Sequence, residues 1–399
     1  MKEFEKEATV FGSKKWENSI KREEELYGDT YSSIRTDFNR DYTRIINCTA
    51  YRRLKHKTQV FFAPQNDHIC TRIEHVYLVE SISHTVANYL GLNTELTTAI
   101  SVAHDLGHSP FGHEGEVILS TISEREYGEK FWHAKNGLHF IDNLELLKDR
   151  EGKFKNLSLT YAVRDGVISH SGNIDENGLK PRDEYIDLND FKYPGEYSPY
   201  TWEACIVKIA DNISYMGRDI EDAKDMGILT EKDIEKIDKL TQNVKINNSS
   251  LISYFVKDLC ENSSPKTGLK FSNEAIKTMN IIKKFNTDKI YKNKEKELTV
   301  RYFTLLITEI FYRLKKEFNG AKTISNLKKM EKIYPNISHE FIEWLSSYIS
   351  INDKNKELYN NKIVYNIENQ DDYCKAIIDY ISGMTDNYLL QVYNEFVSF

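Results

Sequence analysis

The chain is poor in the residues that break or brace a fold. Of 399 residues only seven are proline and eighteen glycine, and no stretch alternates Val, Ile or Thr with polar residues as a half-buried strand does. Both shortages point to a mainly α-helical protein. The five cysteines, Cys48, Cys70, Cys205, Cys260 and Cys374, are odd in number and scattered, with no C-x-x-C pair. That argues against a disulfide framework and a cysteine-ligated zinc site, and leaves buried free thiols as the expectation. No apolar run is long enough to span a membrane, and the start, Met1-Lys2-Glu3-Phe4-Glu5-Lys6, is charged. A soluble cytoplasmic protein with neither membrane span nor secretory signal is expected. Positive charge is not in excess either: the net charge is −7, so any phosphate or nucleic-acid binding has to come from a local patch. A Gly-rich G-x-x-x-x-G-K-[ST] loop, which would grip a γ-phosphate, is missing too.

What is present is a core and a cluster. Hydrophobic residues make up 40% of the chain, and its length exceeds a typical domain, which suggests one large helical body or two domains. The stretch Ala103-His104-Asp105-Leu106-Gly107-His108-Ser109-Pro110-Phe111-Gly112-His113-Glu114-Gly115-Glu116 packs three histidines and three acids into fourteen residues. Gly107, Pro110 and Gly112 force the backbone out of a helix in its middle. Residues 96–103 before it are good helix, so His104 and Asp105 are expected in a last helical turn where both reach one metal ion. His113 and Glu116, spaced i,i+3, share a face of a new short helix. That pairing suggests a carboxylate orienting an imidazole for proton transfer.

Two other segments bring partners for this cluster. From residue 67, Ile73, Val76, Val79, Ile82, Val86 and Leu90 follow a helical three-four spacing, with Gly91 where a C-terminal cap is expected. His75 lies beside that stripe and Arg72 one turn earlier, where it would meet an anion. A lone histidine there is more often structural, but a following histidine-rich helix in antiparallel contact would bring His75 against His104 and Asp105. Helical periodicity also runs from Thr201 to Met226 and stops at Gly227. On it Asp211, Tyr215 and Asp219 recur every four residues and form one ridge, continued by Ala204 and Val207. A buried aspartate needs a cation. His75, His104, Asp105 and Asp211 together have the mixed N/O character that suits Mn²⁺, Fe²⁺, Mg²⁺ or Zn²⁺.

The remaining signals are weaker. Residues 1–30 read as a polar arm or surface helix. The basic stretch 52–57 either solvates a surface helix or lines an anionic pocket. His133 is an isolated histidine among aromatics, residues 157–170 read as a helix stopped by Gly172, and 175–200 as an acidic loop. Beyond 230 the composition shifts to Lys, Asn, Ile and Glu, with lysine-rich links at 292–297 and 352–362 between helical stretches.

From 35 to 226 the chain resembles the HD-domain deoxynucleoside triphosphate triphosphohydrolases, the dGTPase-like enzymes. The resemblance is carried by R-T-x-F-x-R-D from Arg35, R-R-L-x-x-K-T-Q-V from Arg52, R-x-x-H at Arg72 and His75, H-D-L-G-H-x-P-F-G-H-x-G-E from His104, and A-D-x-I-x-Y from Ala210. A weaker echo, D-Y-I-S-G-M-T-D, begins at Asp379. It implies an all-α fold: an HD-type catalytic domain over 35–229, preceded by an arm over 1–34 and followed by a helical region over 230–399 that completes the substrate site and subunit contacts. It places the metal ligands on His75, His104, Asp105 and Asp211. Catalytic positions around the phosphates fall on His108, His113, Glu116 and His133, a phosphate contact on Arg72, and contacts to the deoxyribose on Gln59, Tyr215 and Asp219. One position that varies between lysine and neutral residues is Asn212 here, and Tyr291 is the nearest match to a tyrosine that excludes a 2′-hydroxyl. The implied reaction is water attack at the α-phosphorus of a dNTP, giving deoxynucleoside and tripolyphosphate. A homo-oligomer, tetramer or hexamer, and a nucleotide or single-stranded nucleic-acid effector are implied as well. The alternative is a catalytically silent nucleotide- or nucleic-acid-binding regulator, against which the complete metal set and the His113/Glu116 pair both count.

Overall fold

The structure, a computed structural model, describes residues 2–24, 34–62, 66, 68–173, 178–241, 244–292, 296–350 and 358–398. Parts of the expected loop at 175–200 and of the lysine-rich links at 292–297 and 352–362 lie outside them. The architecture is all-α: apart from one antiparallel hairpin, Leu146–Lys148 with Phe154–Asn156, the described residues carry helices and their connections. The chain forms two compact units that alternate along it. One comprises Met1–Ile46, Gln65–Asp105 and Ser158–Lys296, the other Asn47–Pro64, Leu106–Leu157 and Glu297–Phe399.

In the first unit three helices carry the histidine and aspartate signals. Arg72–Leu90 begins in a capping box, where Thr71 and Glu74 satisfy each other's exposed groups, and closes on Gly91. Such a cap contributes about 1 kcal/mol. Thr94–Ala103 is capped by Asn93, whose side chain accepts from Glu95 N and Leu96 N. Trp202–Asp225 is capped by Thr201, whose hydroxyl accepts from Ala204 N. The first helix packs on both others, so Val76, Val79, Val86, Ile100 and Ile213 share one core. Tyr161–Ser169 lies against the second and third. It starts later than the periodicity suggested, because Thr160 N and Oγ1 donate to the buried Asp41 carboxylate at 2.9 and 2.6 Å.

The N-terminal stretch is irregular yet firmly packed. Phe4 sits edge-on to Trp202 with ring centroids 4.9 Å apart. Thr9 gives both its N–H and its hydroxyl to buried Glu203, which also accepts from Asn93 N.

In the second unit Gly112–Tyr127 packs against Gln370–Gly383. Its entry is strained: Phe111, not a glycine, has φ 61°. That conformation costs of order 1–3 kcal/mol and is held by a hydrogen bond and by ring contacts. The Phe111 N–H donates to Asp386 Oδ1 at 2.9 Å, and its ring stacks on Phe303 at 3.9 Å. Asp386 also accepts from Thr58 N at 2.8 Å. The basic stretch divides: Arg52, Lys55 and His56 are exposed, Arg53 pairs with Glu145, and Lys57 is buried with its ammonium on the carbonyls of His108 and Ser382. No helix among the described residues is long and apolar enough to cross a membrane.

Candidate active site

The first unit gathers His75, His104, Asp105 and Asp211. The helix carrying His104 ends at Ala103, so His104 is its cap and Asp105 belongs to the turn that follows, one step later than the spacing suggested. This position lets His104 Nδ1 bond the Ser101 carbonyl at 2.7 Å. A carbonyl only accepts, so Nδ1 carries the hydrogen and Nε2 the lone pair. His75 is fixed in the same sense. Ser214 Oγ gives its hydrogen to Asp211 O at 2.7 Å and therefore accepts from His75 Nδ1 at 3.2 Å. These second contacts are what ligating histidines use to set tautomer and ring orientation.

Both Nε2 atoms then face carboxylates. His75 Nε2 is 3.1 Å from Asp211 Oδ1 and 3.7 Å from Asp105 Oδ2; His104 Nε2 is 3.3 Å from Asp105 Oδ1 and 3.9 Å from Asp211 Oδ1. His104 Nε2 is buried and has no hydrogen-bond partner. Lone pairs aimed at carboxylates in a buried site repel unless a cation lies among them. The donor set fits a divalent ion of mixed N/O preference, and His75, His104 and Asp211 offer ligand atoms within 4.8 Å of one another. Electrostatics tell the same story. Burial works against a charged His75, but Asp211, by hydrogen bond and charge, and Asp105, by charge, outweigh it and raise its pKa, so that without an ion a proton on Nε2 takes the place of one. Burial would likewise push Asp211 up, yet its bond to His75 and the neighbouring imidazoles hold it below the usual carboxylate range. Protons are drawn to where a metal would sit. Arg72 is buried and gives Nη1 to Asp105 Oδ2 at 2.8 Å.

Further along the Asp211 ridge, Tyr215 reaches Asn212 Oδ1 at 3.4 Å, and Asp219 is buried and accepts from the Tyr291 hydroxyl. Lys283 Nζ donates to Asn212 Oδ1 at 3.0 Å. Asn212, Lys270 and Lys283 line a cavity of about 420 Å³.

The second unit gathers His108, Glu116 and His133. The His108 and His133 rings stack with centroids 4.0 Å apart. Glu116 Oε2 lies 3.0 Å from His133 Nδ1, and Oε1 accepts His133 N at 3.2 Å. His113 is the looser partner, 3.9 Å from Glu116 with a side chain 83% exposed. The i,i+3 spacing does place both on one helix, Gly112–Tyr127, which is longer than expected. Burial opposes ionisation of Glu116, but the His133 charge and the bonds to His113 and His133 hold its pKa far below the carboxylate range. Gly107 makes this arrangement possible: a Cβ there would fall 2.0 Å from Gly137 N and 2.2 Å from His133 O. Gln59 Oε1 is buried without a partner.

One residue escaped the sequence reading. His170, at the end of the expected helix 157–170, is buried and lies edge-on to His104 at 5.1 Å. Its signal was a position just past a helix's last residue, the position His104 also holds.

The helical fold and the paired His/Asp donors define a metal-dependent phosphohydrolase of the HD type, and residues 72–216 match the HD domain, with 334–395 matching the phosphohydrolase-associated domain. Full-length similarity narrows this. The chain is 32% identical to a deoxyguanosinetriphosphate triphosphohydrolase-like protein of Caldanaerobacter subterraneus subsp. tengcongensis over 91% of this chain and 85% of that one. Proteins of the same description from Pelagibacter ubique and Rickettsia bellii are 33% and 30% identical, over 92% and 95% of this chain and 95% and 96% of theirs. The chain belongs to the dGTPase-like triphosphohydrolase family of HD-domain hydrolases.

Proposed function

We propose that the protein hydrolyses deoxynucleoside triphosphates, dGTP or several dNTPs, at the α-phosphorus, releasing deoxynucleoside and inorganic tripolyphosphate. The observation that carries this reading is the pair of Nε2 lone pairs, on His75 and His104, turned onto the Asp105 and Asp211 carboxylates. These four residues would hold a divalent ion. When bound, such an ion lowers the pKa of a water and offsets charge on phosphate oxygens.

The side chains supply the rest. Glu116 fixes the ring of His133, and His133, His108 and Arg72 donate to phosphate oxygens as charge builds on them. His113 holds or delivers the proton that the leaving 5′-oxygen needs. Asp219 and Tyr215 hold the sugar, with Gln59 at its hydroxyl. The cavity beside Asn212 is supplied with cations by Lys270 and Lys283, which suits a polyphosphate chain. In this reading 35–229 is the catalytic stretch, and 230–399 completes the substrate site and the contacts of a homo-oligomer.

The test is purified protein with each dNTP and Mn²⁺ or Mg²⁺, with products separated by chromatography. Deoxynucleoside and tripolyphosphate are expected. First products of dNDP and orthophosphate would overturn the reading.

A further inference from the structure

Two of the sequence motifs have no part in the reaction described above: R-R-L-x-x-K-T-Q-V, apart from its Gln59, and D-Y-I-S-G-M-T-D. In the second unit both close on one loop. Residues 106–111, which run up to the helix Gly112–Tyr127, are all buried and belong to neither helix nor strand. A buried loop is uncommon, because its N–H and C=O groups have no ladder to join. Here side chains take the place of a ladder. Asn136 Nδ2 donates to Gly107 O at 2.7 Å, the Lys57 ammonium donates to His108 O, and Phe111 N donates to Asp386 Oδ1 at 2.9 Å.

These three side chains are themselves joined through residues 382–386. Lys57 also donates to Ser382 O at 2.7 Å and Asn136 to Ser382 Oγ at 3.2 Å, while Asp386 accepts Thr58 N, next to Lys57, at 2.8 Å. Helix ends account for the signs of the charges. Ser382 lies in the last turn of Gln370–Gly383, where carbonyls lack a partner within the helix and attract a cation, and Asp386 opens Asp386–Val397, where a carboxylate is favoured. Lys57 and Asp386 are only 2% and 4% exposed. Burying an ammonium and a carboxylate is costly, and packing alone would be served as well by apolar residues of the same bulk.

What the loop carries is His108. Its ring stacks on His133 at 4.0 Å, and Glu116 holds His133. Lys57 grips the carbonyl of His108 itself, so a loop released from Lys57 and Asp386 moves that ring off its neighbour. We propose that Lys57 and Asp386 are positioning residues of the hydrolysis, fixing the loop 106–111 and through it the His108 ring, with Asn136 and Ser382 completing the clamp. The D-Y-I-S-G-M-T-D segment, inside the stretch that matches the phosphohydrolase-associated domain, then serves the reaction through the backbone of His108. The inference rests on the reading of His108 as a donor to phosphate.

Steady-state kinetics of the full chain with Mn²⁺ and the dNTP it turns over fastest, together with amide hydrogen exchange, test it. Lys57→Met keeps the bulk and removes the charge; it should lower kcat by at least about tenfold with KM little changed, since a misplaced group costs rate more than binding. Added to His108→Ala, it should cost less than about a further twofold, because nothing is left to position. Asn136→Ala removes one neutral bond and neither charge. It should show the same pattern with a smaller loss, and it carries the test if Lys57→Met does not fold. Exchange needs no turnover: in wild type the Phe111 amide, resolved by fragmentation in mass spectrometry, should exchange as slowly as the amides inside Gly112–Tyr127. Losses that multiply with His108→Ala, wild-type kcat in a folded Lys57→Met, or fast exchange at Phe111 would each overturn the proposal. Failure of the functional reading looks different: wild type would release no tripolyphosphate, or His108→Ala alone would keep wild-type kcat.

Discussion

At the scale of single residues, the informative ones were those costly to bury. His104, Asp105 and Asp211 stood out because histidine and aspartate in an apolar periodicity need a partner, and the structure supplies His75 as one. Removing a ligand should therefore remove the ion: His104→Ala and Asp211→Ala are each expected to abolish Mn²⁺ binding and turnover while keeping the helical circular dichroism signal. Near wild-type hydrolysis by either variant would refute the assignment. What spacing could not reveal was the choice Glu116 makes. It shares a helix face with His113, but its 3.0 Å contact is to His133, seventeen residues away, and a three-dimensional neighbour leaves no trace in a periodicity. If Glu116 works through His133, Glu116→Gln should lower kcat by about 10²–10⁴-fold, and the double variant with His133→Ala should be little worse than His133→Ala alone. Losses that multiply would mean the two act separately.

Among elements, helix ends were read well wherever a cap wrote them into the sequence. Gly91, Thr201 and Gly227 stand at the boundaries they announce. The N-terminal stretch was harder, because its threonine and backbone groups satisfy buried Glu203 and so look polar without being solvated. The short His133–His139 helix depends on two features of the second unit. Its approach to Gly107 leaves no room for a methyl group, so Gly107→Ala should displace His133, lower kcat by at least about tenfold and lower the melting temperature, as overpacking costs about 1–3 kcal/mol. Wild-type kcat in that variant would show that the close approach is dispensable.

Its other end is an ion pair, His139 Nε2 to Asp379 Oδ2 at 2.9 Å. Burial opposes a charged His139, but the charge and hydrogen bond of Asp379 outweigh it, and the folded-state pKa is raised. Such a pair stabilises fully below the unfolded histidine value of about 6.5 and loses its effect as pH rises through the raised folded value. The melting-temperature gap between wild type and His139→Gln should be wide near about pH 5.5 and close near about pH 9. A gap independent of pH would mean that His139 contributes packing alone.

For the whole molecule, the all-α class followed from absences that act on every segment at once, few prolines and glycines and no alternating runs. The interleaving of the two units did not follow, since which of several helical segments pack together is decided by side chains far apart in the chain. The proposed reaction belongs to this scale too. Water attack at the α-phosphorus breaks the bond between that phosphorus and the 5′-oxygen. The water's oxygen stays on the tripolyphosphate, and its proton ends on the 5′-hydroxyl of the nucleoside. In H₂¹⁸O one label is therefore expected in tripolyphosphate and none in the nucleoside, read by mass spectrometry after a single turnover. Attack at the 5′-carbon would place the label in the nucleoside instead, and attack at the γ-phosphorus would label orthophosphate. Either result would mean that the His75, His104, Asp105 and Asp211 site acts on a different bond, and the assignment of His113 to the 5′-oxygen would fall with it.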